Sequence, residues 1–247
     1  MNGADRDKLL SDARDFFRKS IADSHAANTR KCVKLKHFKV NPFTVHYLAA
    51  FAFGDESPES LAKALIYPRV LGTSISTTFG NKIQAFCSDV LYSYGSTTSG
   101  IDIEFRSTQD GRKKYCQLKA GPQTINNDDV DTIKGHFGSL KNLARTNHIT
   151  DLNPMTDCCV GVLYGSHTDI SNNYKKIEED YPILAGQEFW FSLTGDETFY
   201  SDLIGVFSEC AKDYKESDLL DEVVAQLAED ISKHPEILSS EGSSRQF

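Results

Sequence analysis

The 247-residue chain is defined first by what it lacks. No apolar run reaches the roughly 18 residues that a membrane-crossing helix needs. Residues Met1 to Lys8 are charged and carry no apolar stretch, so no secretory signal is expected. The six cysteines include no C-x-x-C pair, and no histidine pair lies at finger spacing, which argues against a structural zinc. No nucleophile motif surrounds any of them. Adjacent Cys158 and Cys159 lie in an apolar run and would point to opposite faces of a strand, so buried, reduced thiols in a cytoplasmic protein are the expectation. Repeats and linkers are also missing, which points to a single domain over 1–247. Positive charge is in deficit: 27 Lys and Arg against 35 Asp and Glu leave a net −8, the opposite of the usual nucleic-acid footprint.

That deficit is local. Asp196 to Phe247 holds 13 acidic and 4 basic residues, a balance of −9, whereas residues 1–195 hold 22 and 23, a balance of +1. Arg30 to Lys39 carries five positive charges and no negative one. It reads either as a solvated basic face or as a phosphate-contacting arm, with Lys36 and Lys39 as the contacts. The acidic C-terminal helices, about 196–235, would repel a polyanion and are expected to face away from one.

The pattern of apolar residues outlines the elements. Residues 4–23 read as an amphipathic helix with Leu9, Ala13, Phe16, Phe17 and Ile21 on one side. Asn41-Pro42 opens a helix to about Phe53, and Ser57-Pro58 opens a short one ending before Pro68. Gly72 to Thr78 has the composition of a loop suited to backbone contact. Phe79 to Tyr94 is helical by period, with Gly95 as its end. Ser99 to Arg106 then alternates, with Ile101, Ile103 and Phe105 on one face and Asp102 and Glu104 on the other. Gln109-Asp110-Gly111 is a turn, and Arg112 to Lys119 is the partner strand. Asn126 and Asn127 cap a helix to about Arg145 that turns Val130, Ile133, Phe137 and Leu140 inward. Cys158 to Tyr164 suits a central strand buried on both faces. Glu188 to Leu193 reads as a further strand, and helices over 197–214 and 217–233 precede a polar, frayed last dozen residues. Trp190, the only tryptophan, is a core or dimer-packing residue.

The hairpin carries the chemistry. With Gln117 and Lys119 on the same side as Asp102, a carboxylate, an amide oxygen and an ammonium converge at one sheet edge. Asp102, Gln117, the Leu118 backbone carbonyl and waters would suit a hard divalent cation such as Mg2+. Lys119 beside it would position and help deprotonate an attacking water, or stabilise a pentavalent phosphate. Glu104 is an additional candidate ligand. The bland alternatives are a surface carboxylate, a solvent-facing lysine, a Glu104 paired with Arg or Lys, and a Cys116 that only packs.

The pair G-I-D-I-E (100–104) and C-Q-L-K-A-G (116–121) resembles the PD-(D/E)XK nuclease motif, in a helix, hairpin, helix, strand order that is that superfamily's core. N-P-F (41–43), P-R-V-L-G (68–72), F-G-N-K (79–82), V-G-V-L-Y-G (160–165) and A-G-Q-E-F-W (185–190) are similar to segments of the type II restriction endonucleases that cut RGGNCCY sites. The resemblance implies an α/β, restriction-endonuclease-like mixed sheet core flanked by helices, with additional N- and C-terminal helices and a catalytic core over about 77–165. It implies Mg2+-dependent cleavage of double-stranded DNA, with Mn2+ able to substitute, by a cytoplasmic homodimer on a palindrome, alongside a cognate DNA methyltransferase. Asp102 would be the metal carboxylate and Lys119 the catalytic lysine. Gln117 departs from the pattern, which has Glu or Asp there; Glu104, or in the preceding helix Gln84 or Asp89, bears on that deficit. A nuclease for branched or modified DNA and a non-catalytic DNA-binding protein remain open. Gln123, Thr124, Asn126 and Asn127, which open a helix near the site, are candidate DNA contacts or simple caps, and Lys134, His136, Arg145 and His148 are further candidates.

Overall fold

The computed structural model describes residues 3–91, 93–213 and 218–238. In chain order the elements are helices α1 (Gly3–Phe16), α2 (Asp23–Arg30), α3 (Pro42–Phe53), α4 (Pro58–Pro68) and α5 (Ile75–Asp89). Strands β1 (Ser93–Gly95), β2 (Ile103–Arg106) and β3 (Lys113–Lys119) come next, then helices α6 (Asn127–Thr146) and α7 (Pro154–Asp157). Strand β4 (Cys158–Val162), helix α8 (Asn172–Glu178), strand β5 (Ile183–Ala185) and helices α9 (Gln187–Thr194), α10 (Phe199–Asp213), α11 (Leu219–Ser232) and α12 (Pro235–Leu238) complete the chain. Two compact units result: Met1–Phe16 with Lys82–Phe207, and Phe17–Asn81 with Ser208–Phe247.

The first unit is built on a five-stranded mixed sheet in the order β1-β2-β3-β4-β5. The first three strands are antiparallel, because a tight turn joins β2 to β3. Asp110 Oδ1 accepts from Arg112 N in that turn, and Gly111 supplies the positive φ of 68°. β3, β4 and β5 are parallel. α6 provides the long crossover that a parallel pair requires. It starts at a capping box in which Asn126 Oδ1 accepts from Asp129 N and Asp129 Oδ2 accepts from Asn126 N. Its Val130, Ile133, Phe137 and Leu140 pack on one sheet face with Tyr115, Cys158, Val160, Val162 and Ile183. On the opposite face Phe105 meets Phe189 edge-on at 6.4 Å, and Trp190 lies among Phe86, Phe189 and Phe199. The Trp190 indole N–H donates to the Leu163 carbonyl at 2.8 Å, so this residue is core. All five residues of β4 are buried, as its unbroken apolar run requires.

The second unit is helical. Leu61, Ile66, Val224, Leu227 and Ile231 lie in one core cluster of α4 and α11. Asn41 Oδ1 caps α3 by accepting from Phe43 N and Thr44 N, with Pro42 in the first turn and Gly54 at φ 83° ending it. Asp230 of α11 accepts from Lys34 Nζ at 2.8 Å and from Leu35 N at 2.9 Å. Those two donors hold its carboxyl below the ordinary range. α3 has no Asp, Glu, Lys or Arg, and it leaves Phe43, Tyr47, Leu48 and Phe51 exposed.

Several elements differ from their sequence-based expectation. The first helical stretch runs on to Arg30 through a wider π segment, Phe17–Ala22. Pro68 does not stop α4; the chain widens into a second π segment, Arg69–Ser74, which accommodates the missing N–H, and continues into α5. Gly72 to Thr78 is therefore helical, not a loop. α5 ends at Asp89, and Ser93–Gly95 is an edge strand. Glu188 to Leu193 is helix α9, because Phe189, Trp190 and Leu193 at helical spacing bury one face. Of the last dozen residues, 236–238 belong to the helical turn Pro235–Leu238 and 239–247 lie outside the described residues. All six cysteines are reduced and buried. Burial raises the Cys87 and Cys116 thiols well above their ordinary range and pushes Cys158 up to about 12, so these groups stay protonated and inert at neutral pH. Among the described residues no helix is long and apolar enough to cross a membrane.

Candidate active site

Asp102 sits one residue ahead of β2, not in the middle of a strand, yet the ladder reaches past it. Its N–H donates to the Cys116 carbonyl at 3.0 Å. Ile103 pairs with Cys116 and Glu104 with Tyr115, so continuing the register sets Asp102 opposite Gln117. Asp102, Glu104, Tyr115, Gln117 and Lys119 therefore share one face. Asp102 Oδ2 accepts from Leu118 N at 2.7 Å, which turns the carboxylate toward β3. The Leu118 carbonyl lies on the same strand edge, since both backbone groups of a residue point to one side. From α5, Gln84 Nε2 donates to the Asp102 carbonyl at 2.8 Å. Gln84 is thus a brace for the Asp102 backbone; Asp89 is exposed at the end of the same helix.

Gln117 is 5% exposed. Its amide nitrogen donates to the Gly100 carbonyl and to His136 Nδ1, the latter at 2.6 Å. Among the described residues, Gln117 Oε1, Asp102 Oδ1 and Lys119 Nζ have no protein hydrogen bond or ion pair, and none is sealed from solvent. One carboxylate oxygen, one amide oxygen and one ammonium are therefore available together at the end of the hairpin. Two oxygens and a backbone carbonyl suit a hard cation that keeps several waters. A single negative charge makes the donor set weak. Among the described residues no cluster of three or more His, Cys, Asp or Glu could hold a metal, in keeping with a set that mixes one acid with an amide.

Glu104 shares the face but is engaged elsewhere, which corrects its place among the ligands. Its Oε1 accepts from Ser96 Oγ at 2.6 Å and its Oε2 pairs with Lys113 Nζ at 2.5 Å, with the residue 6% exposed. Both oxygens are therefore engaged, one by Ser96 and one by Lys113.

The expected DNA contacts are scattered. Lys36 and Lys39 are exposed in the helical unit. In the sheet unit, Gln123 is exposed, and Thr124 Oγ1 closes a turn on the Gly121 carbonyl at 2.9 Å. Asn126 is the cap of α6, and Asn127 Oδ1 accepts from Lys176 Nζ at 2.8 Å. Lys134 pairs with Asp180 at 2.6 Å. Arg145 and His148 are exposed at the end of α6. Nothing local in the chain signals that His136 reaches Gln117, nor that Gly100 matters. Gly100 has φ 79°, and a Cβ there would run into the His136 ring.

A family model described as type II restriction endonuclease EcoO109I matches residues 11–215. No curated protein matches the chain.

Proposed function

Because the chain belongs to the type II restriction endonuclease EcoO109I family, and so to enzymes that hydrolyse DNA at specific sites, we propose that it is a Mg2+-dependent nuclease of the PD-(D/E)XK superfamily. The proposed substrate is a short, palindromic, GC-containing site in double-stranded DNA. The observation that carries this reading is the open triplet of Asp102 Oδ1, Gln117 Oε1 and Lys119 Nζ on one sheet face. Asp102, Gln117 and the Leu118 carbonyl would hold the ion, with Mn2+ able to replace it. When bound, such an ion polarises a phosphoryl oxygen and lowers the pKa of a water. Lys119 Nζ orients the attacking water and shares its proton, or stabilises charge building on the phosphorus oxygens. Asp102, pinned by Leu118 N, keeps that geometry fixed between turnovers. The catalytic part of the chain is assigned to about 77–165 within a single functional domain.

A palindrome calls for two copies related by a two-fold axis. Support for a homodimer comes from α3, where Phe43 is 87%, Tyr47 63% and Phe51 75% exposed along one stripe. Aromatic side chains of about 200 Å2 each make this roughly 450 Å2 per copy, or roughly 1,000 Å2 over two copies with Leu48 added. That is the lower limit for a specific interface. A face without charge can meet its own copy without burying an unpaired ion. A restriction enzyme of this kind would act in the cytoplasm beside a methyltransferase that protects the host sites.

The test is a digest of plasmid DNA with Mg2+ and mapping of fragment ends. Discrete fragments that disappear with Lys119→Ala support the proposal; Mg2+-independent cutting, or full activity in that variant, overturns it. Gln in place of an acid favours one second reading, a nuclease for modified or branched DNA, which would leave unmodified plasmid smeared or intact and cut methylated plasmid. A mobility shift without any cleavage in Mg2+ or Mn2+ would mark a DNA-binding protein that has kept the fold.

A further inference from the structure

An amide and a carboxylate have nearly the same shape and opposite hydrogen-bonding ends. The Gln amide nitrogen has two hydrogens to give and its oxygen only accepts. At Gln117 both hydrogens are claimed, one by the Gly100 carbonyl and one by His136 Nδ1. Nδ1 accepts from that amide in the tautomer that carries the ring proton on Nε2. Gly100 in turn packs against the imidazole so closely that any side chain there would strike it. The three residues hold one another. A flip of Gln117 would set its oxygen against the Gly100 carbonyl, so Oε1 is held as the end without a protein partner.

We propose that His136 and Gly100 form a positioning lock that selects an amide over a carboxylate at residue 117 and aims its oxygen at the bound divalent cation. This inference rests on the nuclease reading of the same site and deepens it: the Gln is not a weakened Glu but the side chain its surroundings are built for. A Glu there would press a carboxylate oxygen toward the Gly100 carbonyl and lose that hydrogen bond, and it would keep the contact with His136 only by moving the ring proton to Nδ1. His136 acts through Gln117 and is a positioning residue.

The experiment measures Mn2+ binding to the full chain by electron paramagnetic resonance of the free ion, alongside nitrogen NMR of the His136 ring. His136→Leu removes the acceptor while filling space and is expected to weaken Mn2+ binding about tenfold, as loss of a ligand's supporting partner typically does. His136→Asn restores an acceptor near the place of Nδ1 and should bind Mn2+ within about twofold of the wild type. Gln117→Glu should gain no Mn2+ affinity despite its added charge. The wild-type ring should show a bare Nδ1 and a protonated Nε2, and Gln117→Met should perturb that signal. A thermal melt of each variant separates misfolding from loss of the lock, with His136→Asn as the folded reference. A protonated Nδ1 in the wild type, Mn2+ affinity unchanged in a folded His136→Leu, or tighter binding in Gln117→Glu overturns the lock, while Lys119-dependent cutting stays in place. Failure of the nuclease reading shows differently, as cutting that ignores Lys119→Ala.

Discussion

The two ends of the β2-β3 hairpin carry the same residue types and treat them oppositely. At the turn end three ion pairs tie the strands and their surroundings together. Glu104 pairs with Lys113 at 2.5 Å, Lys114 with Asp110 at 2.6 Å, and Arg112 grips the buried Asp157 through two bonds of 2.6 and 2.5 Å. At the other end, Asp102 and Lys119 share a face and neither is neutralised by an ion pair. The contrast separates charge that holds the fold from charge kept available. A carboxylate and an ammonium that share a rigid sheet edge without an ion pair are placed to meet a ligand, not to tie the hairpin together.

The sharpest break of this contrast comes from Lys119. Lys119→Ala should lower the cleavage rate by about 100-fold or more while DNA still shifts in a gel. Unchanged melting of that variant would confirm that the open end does not hold the fold. Asp157→Ala should do the reverse: about 2 kcal/mol of stability lost in a urea melt, with cleavage per folded molecule unaffected. Asp157 also sets a pH window. Burial works against its ionisation, but hydrogen bonds from Arg112 and Asn153 outweigh that and lower its carboxyl below the ordinary range. Its contribution is therefore full above the unfolded value near about 4 and is lost as pH falls through the lower folded value. Stability measured from pH 6 down to 3 should decline more steeply in the wild type than in Asp157→Asn. Glu104→Gln should cost about 1 kcal/mol and leave the Mg2+ concentration for half-maximal cleavage where it was; a shift in that concentration would return Glu104 to the ligand set. The smallest effect belongs to Lys134→Ala. Its pair with Asp180 is surface-exposed and worth less than about 0.5 kcal/mol. A larger loss of DNA affinity than of stability would make Lys134 a phosphate contact after all.

The hairpin was legible in the sequence because period-two alternation, a turn tripeptide and a second alternating run agree with one another. The caps at Asn41, Ser57 and Asn126 were legible because each acts within three residues of itself. What was hidden depends on distant partners. E-F-W-F-S-L fits a strand or a helix by composition, and only the packing of Phe189 and Trp190 against the sheet decides for the helix. Pro68 stays inside a helical stretch because a wide π segment follows it, which local propensity does not foretell. No linker showed because the units exchange the chain at 16/17, 81/82 and 207/208, all within helical stretches. At the candidate site, the common face of Asp102, Gln117 and Lys119 was readable from the alternation of the two strands. The role of Glu104 was not, since Lys113 becomes its partner only through the strand register. His136 lies 19 residues from Gln117, and nothing local connects them.

The grip of Asp230 on Lys34 bears on how such a protein would respond to salt. The binding of a polyanion is driven largely by sodium or potassium ions set loose from its phosphates, one for each cation that replaces them. Lys34 already pairs with its own chain's carboxylate at 2.8 Å and is expected to displace fewer of them. Lys36 and Lys39, by contrast, stand exposed on the same segment. A plot of log affinity against log salt should therefore count fewer positive charges in this segment than its five, about 0.9 in slope for each phosphate actually met. Asp230→Asn, by releasing Lys34, would steepen that line.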